Sequence, residues 1–370
     1  MARNKRKKIL VVFGTRPEAI KLAPVVMALK KNKAFHCQVC STGQHKSMVR
    51  QIVKFFNIKI DFNLNVMKKG QDLSYLTKMI VPKIAQLLDR VKPDIVVVQG
   101  DTTTVFLVSL AAFYKKINVA HVEAGLRTHD KYYPFPEEIN RRLVSPIADF
   151  HFCPTSAARN NLLEEGIDKK KIFITGNTSI DALKLSLSRL KKSYSLFDRI
   201  DFTKKIVLVT AHRRESFGRP LEEMFRSFVD ITKSYENVEI VYPVHLNPNV
   251  QKCAKKILAG HKKIHLMPPV SYDQLIYLMN RSYLLLTDSG GIQEEGPSLK
   301  KPVLVMREET ERPEGIKLGV SKLVGRNRTK IYAETLKLLR SPAAYKKMIK
   351  GKNPYGDGLA SERIVKILKK

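Results

Sequence analysis

"VVQGDTTTVFLVSLAAFYKKINVAHVEAGLRT", from Val97 to Thr128, holds two apolar segments that each end in a carboxylate, Asp101 and Glu123. The segments "DIVVVQG" and "NVAHVEAG" are continuous in small and branched apolar residues rather than alternating, as expected of strands buried on both faces of a parallel sheet. The intervening "TTTVFLVSLAAFYKK" has the length of a helix. A strand, a helix and a second strand therefore deliver Asp101 and Glu123 just past two carboxyl ends, where ligands meet open α/β sheets. The two side chains can converge on one cleft.

Working outward, "KILVVFG" leads through a turn into "EAIKLAPVVMALKK", and "HCQVCSTG" and "FHFCPT" supply further strands of the same half. After "KIFITGN" comes a lysine- and serine-rich stretch, "LKLSLSRLKKSYSLF". A fresh series then begins with "KKIVLVTAH", "NVEIVYPVH", "KIHLMPP", "YLLLTDSGG" and "KPVLVM". The expected architecture is α/β, with two Rossmann-like, doubly wound domains and a cleft between them. We place the first at 1–180, a connector at 181–200, the second at 201–352 and a closing amphipathic helix within 353–370.

At 370 residues the chain is comfortable for two domains of about 100 to 200 residues each. No apolar run reaches the ~18 to 20 residues of a membrane span, and "MARNKRKKIL" is not followed by a signal-type apolar stretch. The expectation is a soluble, cytoplasmic protein. Cys37, Cys40, Cys153 and Cys253 are too scattered for a disulfide scaffold. The CxxC of Cys37 and Cys40 lies in a strand, where residues three apart face opposite ways, so buried thiols are expected and no metal. With 67 basic and 34 acidic residues the formal charge is +33, which admits a nucleic-acid partner. The lysines are dispersed, however, and aromatics are not interleaved with them, so a solvated basic surface is expected without nucleic acid. Anionic small substrates benefit from that field.

Several strand ends carry further chemistry. "VVFGTRPEAIKLAP" has one glycine, Gly14, and no GxGxxG, so no dinucleotide cofactor is expected. Its Arg16 and Lys21 can bind phosphate, or Arg16 can form a surface pair with Glu18. "LLLTDSGGIQEEGPSL" turns through Ser289, Gly290 and Gly291 into a helix carrying Glu294 and Glu295. That arrangement suits an anion at the amides and a carboxylate on ribose, or else ordinary helix capping. "VTAHRRESFG" brings His212, Arg213 and Arg214 past one strand and "VYPVHLNP" brings His245 past the next, a set suited to a diphosphate leaving group. In "YYPFPEEINRR", Glu137 and Arg141 share a helical face, either at the site or as a surface pair.

Together, "GTRPEAIKLAPV", "GDTTT", "HVEAGLRT", "PFPEEINRR", "HRRESFG", "VYPVHLNP" and "TDSGGIQEEGPSL" resemble the non-hydrolysing UDP-N-acetylglucosamine 2-epimerases, over about Ile9 to Gly325. The resemblance implies the GT-B architecture, a homodimer and interconversion of UDP-GlcNAc and UDP-ManNAc for surface polysaccharides, with no cofactor. It gives Asp101, Glu123 and Glu137 the part of catalytic carboxylates and His212 that of the histidine beside the diphosphate. Arg16, Lys21, Arg141 and Arg213 fall at substrate positions, and Ser289, Gly290, Gly291 and Glu295 at the UDP turn and ribose contact. Gln44, His45, Arg213 and His245 lie in segments that the family links to a second, activating UDP-GlcNAc, although Gly70 stands where some members carry arginine.

The implied chemistry accounts for the carboxylates. A proton beside an N-acetyl group is weakly acidic, and the family's route eliminates UDP to 2-acetamidoglucal and adds it back with a proton from the other face. Acid/base groups on opposite faces are then required. A GT-B glycosyltransferase needs no second-face proton donor, and a hydrolysing epimerase releases ManNAc and UDP; these are the rival readings.

Overall fold

The structure, a computed structural model, describes residues 6–44, 46–68 and 70–370. It divides into two units, one formed by 1–185 with 355–370 and the other by 186–354. The stretch expected as a separate connector, 181–200, is thus shared between them.

The first unit is built on seven strands: β1 (Lys7–Phe13), β2 (Phe35–Ser41), β3 (Phe62–Asn63), β4 (Ile95–Gln99), β5 (Asn118–Val122), β6 (Phe150–Cys153) and β7 (Ile172–Ile174). They pair in parallel in the order β3-β2-β1-β4-β5-β6-β7. All five residues of β4 are buried, as a Val/Ile run covered on both faces requires. On one face Leu10, Val12, Val96, Val98 and Val119 pack against Ile80, Ile84, Val105 and Val108 of the helices Leu73–Val91 and Thr103–Tyr114.

The final helix, Ala360–Lys369, returns to this unit and packs on the helix Arg16–Lys31. Its amino end is held from a distance in sequence, because the Asp181 carboxylate accepts from the backbone N–H of Ala360 (3.2 Å) and of Ser361 (2.8 Å). Those amides have no partner within the helix, so a carboxylate there satisfies them and meets the positive end of the helix dipole.

The second unit repeats the plan with β8 (Lys205–Thr210), β9 (Val238–Pro243), β10 (Ile264–Met267), β11 (Leu284–Thr287), β12 (Val303–Val305) and β13 (Ser321–Leu323), ordered β10-β9-β8-β11-β12-β13 and all parallel. Its core joins Val207, Val209, Tyr242 and Leu286 to Met224, Phe225 and Phe228 of the helix Arg219–Ser234. Both sheets are doubly wound, as expected. In each the order reverses at one place, between β1 and β4 and between β8 and β11, and ligands of such sheets bind beyond the carboxyl ends there.

Candidate active site

In the first unit, β1 ends at a turn that admits only glycine at position 14, since a Cβ there would collide with the hydroxyls of Thr42 and Thr104. Arg16 opens the following helix. Glu18 is not the surface partner that the alternative reading supposed: it is 1% exposed. Its carboxylate accepts from the backbone N–H of Gly14 (2.5 Å) and Thr15 (2.8 Å) and from the Thr102 hydroxyl. Glu18 thereby ties the turn after β1 to the turn after β4. Burial pushes its carboxyl above the usual range, and these hydrogen bonds offset that only in part. Gln44 stands at the same end of the sheet, its Oε1 accepting from the Thr104 hydroxyl at 2.8 Å. His45 lies outside the described residues.

Asp101 follows Gly100, whose φ of +82° suits glycine. The turn is clamped to β5 through both groups of Gly100: its N–H donates to the Val122 carbonyl (3.0 Å), and its carbonyl accepts from Nε2 of the buried His121 (2.7 Å). The carboxylate of Asp101 receives Arg141 Nη2 at 2.7 Å, and its carbonyl receives Asn140 Nδ2 at 2.9 Å. Arg141 is 5% exposed and also reaches Glu138 at 3.4 Å, so it is a buried link from the helix Glu137–Val144 to β4 rather than a surface residue. Glu138 in turn accepts from the N–H groups of Thr128 and His129, both at 3.1 Å. Glu137 is the first residue of that helix, next to this network.

Glu123, just past β5, adopts φ +64°, a conformation that costs a residue with a Cβ and that its surroundings hold in place. Its Oε2 accepts from Lys21 Nζ at 2.5 Å and from Gln99 Nε2 at 2.9 Å. The carboxylates of Asp101 and Glu123 therefore sit at adjacent strand ends, each with its own cation brought in from a helix.

In the second unit, the turn after β8 carries His212 and Arg213, and His245 follows β9. The imidazoles of His212 and His245 stack, with ring centres 5.2 Å apart and planes 22° from parallel. Past β11, Asp288 leads into Ser289 and the short helix Gly290–Glu295. A Cβ on Gly290 would meet the Arg312 guanidinium at 2.7 Å, so glycine lets that cation lie on the first turn. Arg312 is held by Glu294 (2.9 Å) and Glu311 (3.3 Å), and Glu311 by Arg307 (2.8 Å). Burial opposes the charge on Glu311, but Arg312 and Arg307 hold its carboxyl down at about 2. Glu295, 6% exposed, accepts from the Tyr272 hydroxyl at 3.3 Å.

The family model described as UDP-N-acetylglucosamine 2-epimerase matches residues 27–369. The chain belongs to that family. It is 50% identical over 369 residues to UDP-N-acetylglucosamine 2-epimerase of Escherichia coli strain K12, covering 98% of each chain. The fold matches the UDP-GlcNAc 2-epimerase of Neisseria meningitidis bound to UDP-GlcNAc, with a TM-score of 0.92 and 47% identity over 98% of this chain and 99% of that one. The Methanocaldococcus jannaschii enzyme in complex with UDP-GlcNAc and UDP matches with a TM-score of 0.82 and 37% identity, over 98% and 99%. With epimerases as its neighbours and two parallel doubly wound sheets, the fold is the two-domain, Rossmann-like GT-B class.

Beside the residues expected from the sequence stand Glu18, read there only as a surface partner of Arg16, and others that sequence reasoning passed over: Asp288 and the pair Arg307 and Arg312. A signal existed for the last two. "REETERPE", at Arg307 to Glu314, sets two arginines among glutamates just after the buried strand β12, at a carboxyl end of the sheet.

Proposed function

We propose that this chain interconverts UDP-GlcNAc and UDP-ManNAc at carbon 2 without net hydrolysis, supplying ManNAc units for surface polysaccharide in the cytoplasm. UDP is eliminated first. A base takes the proton at carbon 2, its electron pair forms the double bond of 2-acetamidoglucal, and the bond from carbon 1 to oxygen leaves with UDP. Re-addition of UDP to carbon 1, with a proton delivered to the other face of carbon 2, completes the inversion.

The observation that carries this reading is the pair of strand-end carboxylates, Asp101 with Arg141 and Glu123 with Lys21, each bound to a separate cation. Two carboxylates at adjacent strand ends supply two proton-transfer groups, the number that removal and delivery on opposite faces require. Glu137 joins them as a third carboxylate in this proposal. Arg16, His212 and Arg213 stabilise the departing diphosphate, while Ser289, Gly290, Gly291 and Glu295 hold UDP. Support also comes from relatives described with UDP-GlcNAc and with UDP bound. A homodimer, and activation by a second UDP-GlcNAc through Gln44, His45 and His245, belong to the same proposal. Among the described residues no helix is long and apolar enough to cross a membrane.

Incubation with UDP-GlcNAc followed by product NMR tests the reading. A mixture with UDP-ManNAc is expected, without added metal or NAD. Accumulation of free ManNAc with UDP would assign the chain to the hydrolysing reaction instead.

A further inference from the structure

Asp288 is fully buried just past β11, across the point of order reversal from the turn that carries His212. Its two oxygens face the turn after β8. Oδ2 accepts from the backbone N–H of His212 (2.6 Å) and of Arg213 (2.8 Å), while Oδ1 lies 3.0 Å from Nδ1 of the His212 ring. The backbone of residue 212 is thus held by Oδ2, while its imidazole stands at ion-pair distance from Oδ1, a buried oxygen with no hydrogen bond from any other described residue. The turn itself is pinned on both sides, by the Tyr242 hydroxyl donating to the Ala211 carbonyl (2.6 Å) and by the hydroxyls of Thr210 and Thr287 (2.6 Å).

The stacked partner is held the other way. His245 Nδ1 accepts from the backbone N–H of Asn247 at 3.1 Å, so a neutral His245 carries its proton on Nε2. A carboxylate at Nδ1 of His212 selects the opposite form, with the proton on Nδ1.

We propose that Asp288 is a positioning residue for the reaction: it fixes His212 in the Nδ1–H form with Nε2 as its working atom, and so sets the two stacked imidazoles in opposite tautomers. The proposal rests on the epimerase reading above, which gives His212 its place beside the diphosphate. With the proton on Nδ1, Nε2 is the ring atom left to meet the departing phosphate oxygen, while His245 stays neutral beside it. Burial lowers the affinity of His245 for a proton, and the nearby His212 lowers it further.

Asp288→Asn tests this, because the amide oxygen can still accept from the two backbone N–H groups while the amide nitrogen cannot accept from Nδ1–H. Turnover is expected to fall about 100-fold or more, the range of general acid/base contributions, with affinity for UDP changed less than about threefold. Nitrogen NMR of the imidazoles should show His212 as the Nδ1–H form in the wild type and the Nε2–H form in the variant. In a His212→Gln background, Asp288→Asn should cost little more, since a group acting through His212 has nothing left to act through. An unchanged His212 tautomer, or an equal loss of turnover in both backgrounds, would overturn the proposal. A wild type that makes no UDP-ManNAc would overturn the epimerase reading separately, and the tautomer measurement would still decide whether Asp288 governs the ring.

Discussion

Lys21 Nζ lies 2.5 Å from Glu123 Oε2 although the two residues are 102 positions apart, one in the helix after β1 and the other past β5. Their side chains are 12% and 7% exposed, so each neutralises a charge that water hardly reaches. In such a pair, loss of one member is worse than loss of both.

The first prediction follows from that asymmetry. Lys21→Met should destabilise the first unit by about 3 to 5 kcal/mol, the range for removing one partner of a buried ion pair. Glu123→Gln, which keeps an oxygen for Gln99, should cost less, and the double variant should regain stability over Lys21→Met. Denaturant unfolding of the three proteins measures this. A double variant less stable than Lys21→Met would show that the pair does not behave as one buried unit.

Asp101→Asn keeps the shape of the side chain, and Arg141 retains Glu138 at 3.4 Å. Folding should therefore change little while turnover falls about 100- to 10,000-fold, as expected for loss of a general acid or base. Glu137→Gln should behave alike. Steady-state rates beside melting curves separate the two effects, and near-normal turnover in both variants would remove these carboxylates from the chemistry.

Acid should destabilise the first unit through His121 and His151, which are paired in register on β5 and β6. Burial, joined by the charges of Arg127 and Arg141, brings His121 down to about 4 despite its bond to the Gly100 carbonyl. Burial and the neighbouring His121 bring His151 to about 3. Unfolded, both take up protons near 6.5; folded, they resist. Their contribution is complete above pH 6.5 and is lost as pH falls toward 4, by about 1.4 kcal/mol per pH unit for each group. Burial raises Glu18 and Asp181, which act in the opposite sense at the lower end, so the informative quantity is a difference in slope. His151→Leu should flatten the decline in unfolding free energy between pH 6.5 and 4. An unchanged slope would count against a neutral buried His151.

The positions of Asp101, Glu123, His212 and the Ser289 turn were legible because continuous Val and Ile runs mark buried strands and whatever follows them stands at a carboxyl end. What fixes those positions was not legible. Glu18 reads as a surface residue one turn into a helix, and only the fold brings Thr102 to it. Asp288 meets His212 because β8 and β11, 77 residues apart in register, are neighbours in the sheet. The final helix shows an amphipathic pattern but not its seat, which Asp181 sets by binding its first amides. Pattern reports which face an element buries, whereas long-range pairing depends on strand order.

The central claim, that the proton at carbon 2 and the bond to UDP are both broken and remade, is tested by one experiment in deuterated water. UDP-GlcNAc carrying an oxygen label in the bridge between sugar and phosphate is incubated with the enzyme, and the product is analysed by NMR and mass spectrometry. The account predicts UDP-ManNAc with deuterium at carbon 2 and with the label scrambled from bridging into nonbridging phosphate positions. Epimerised product with hydrogen retained at carbon 2 and the label still in the bridge would contradict it.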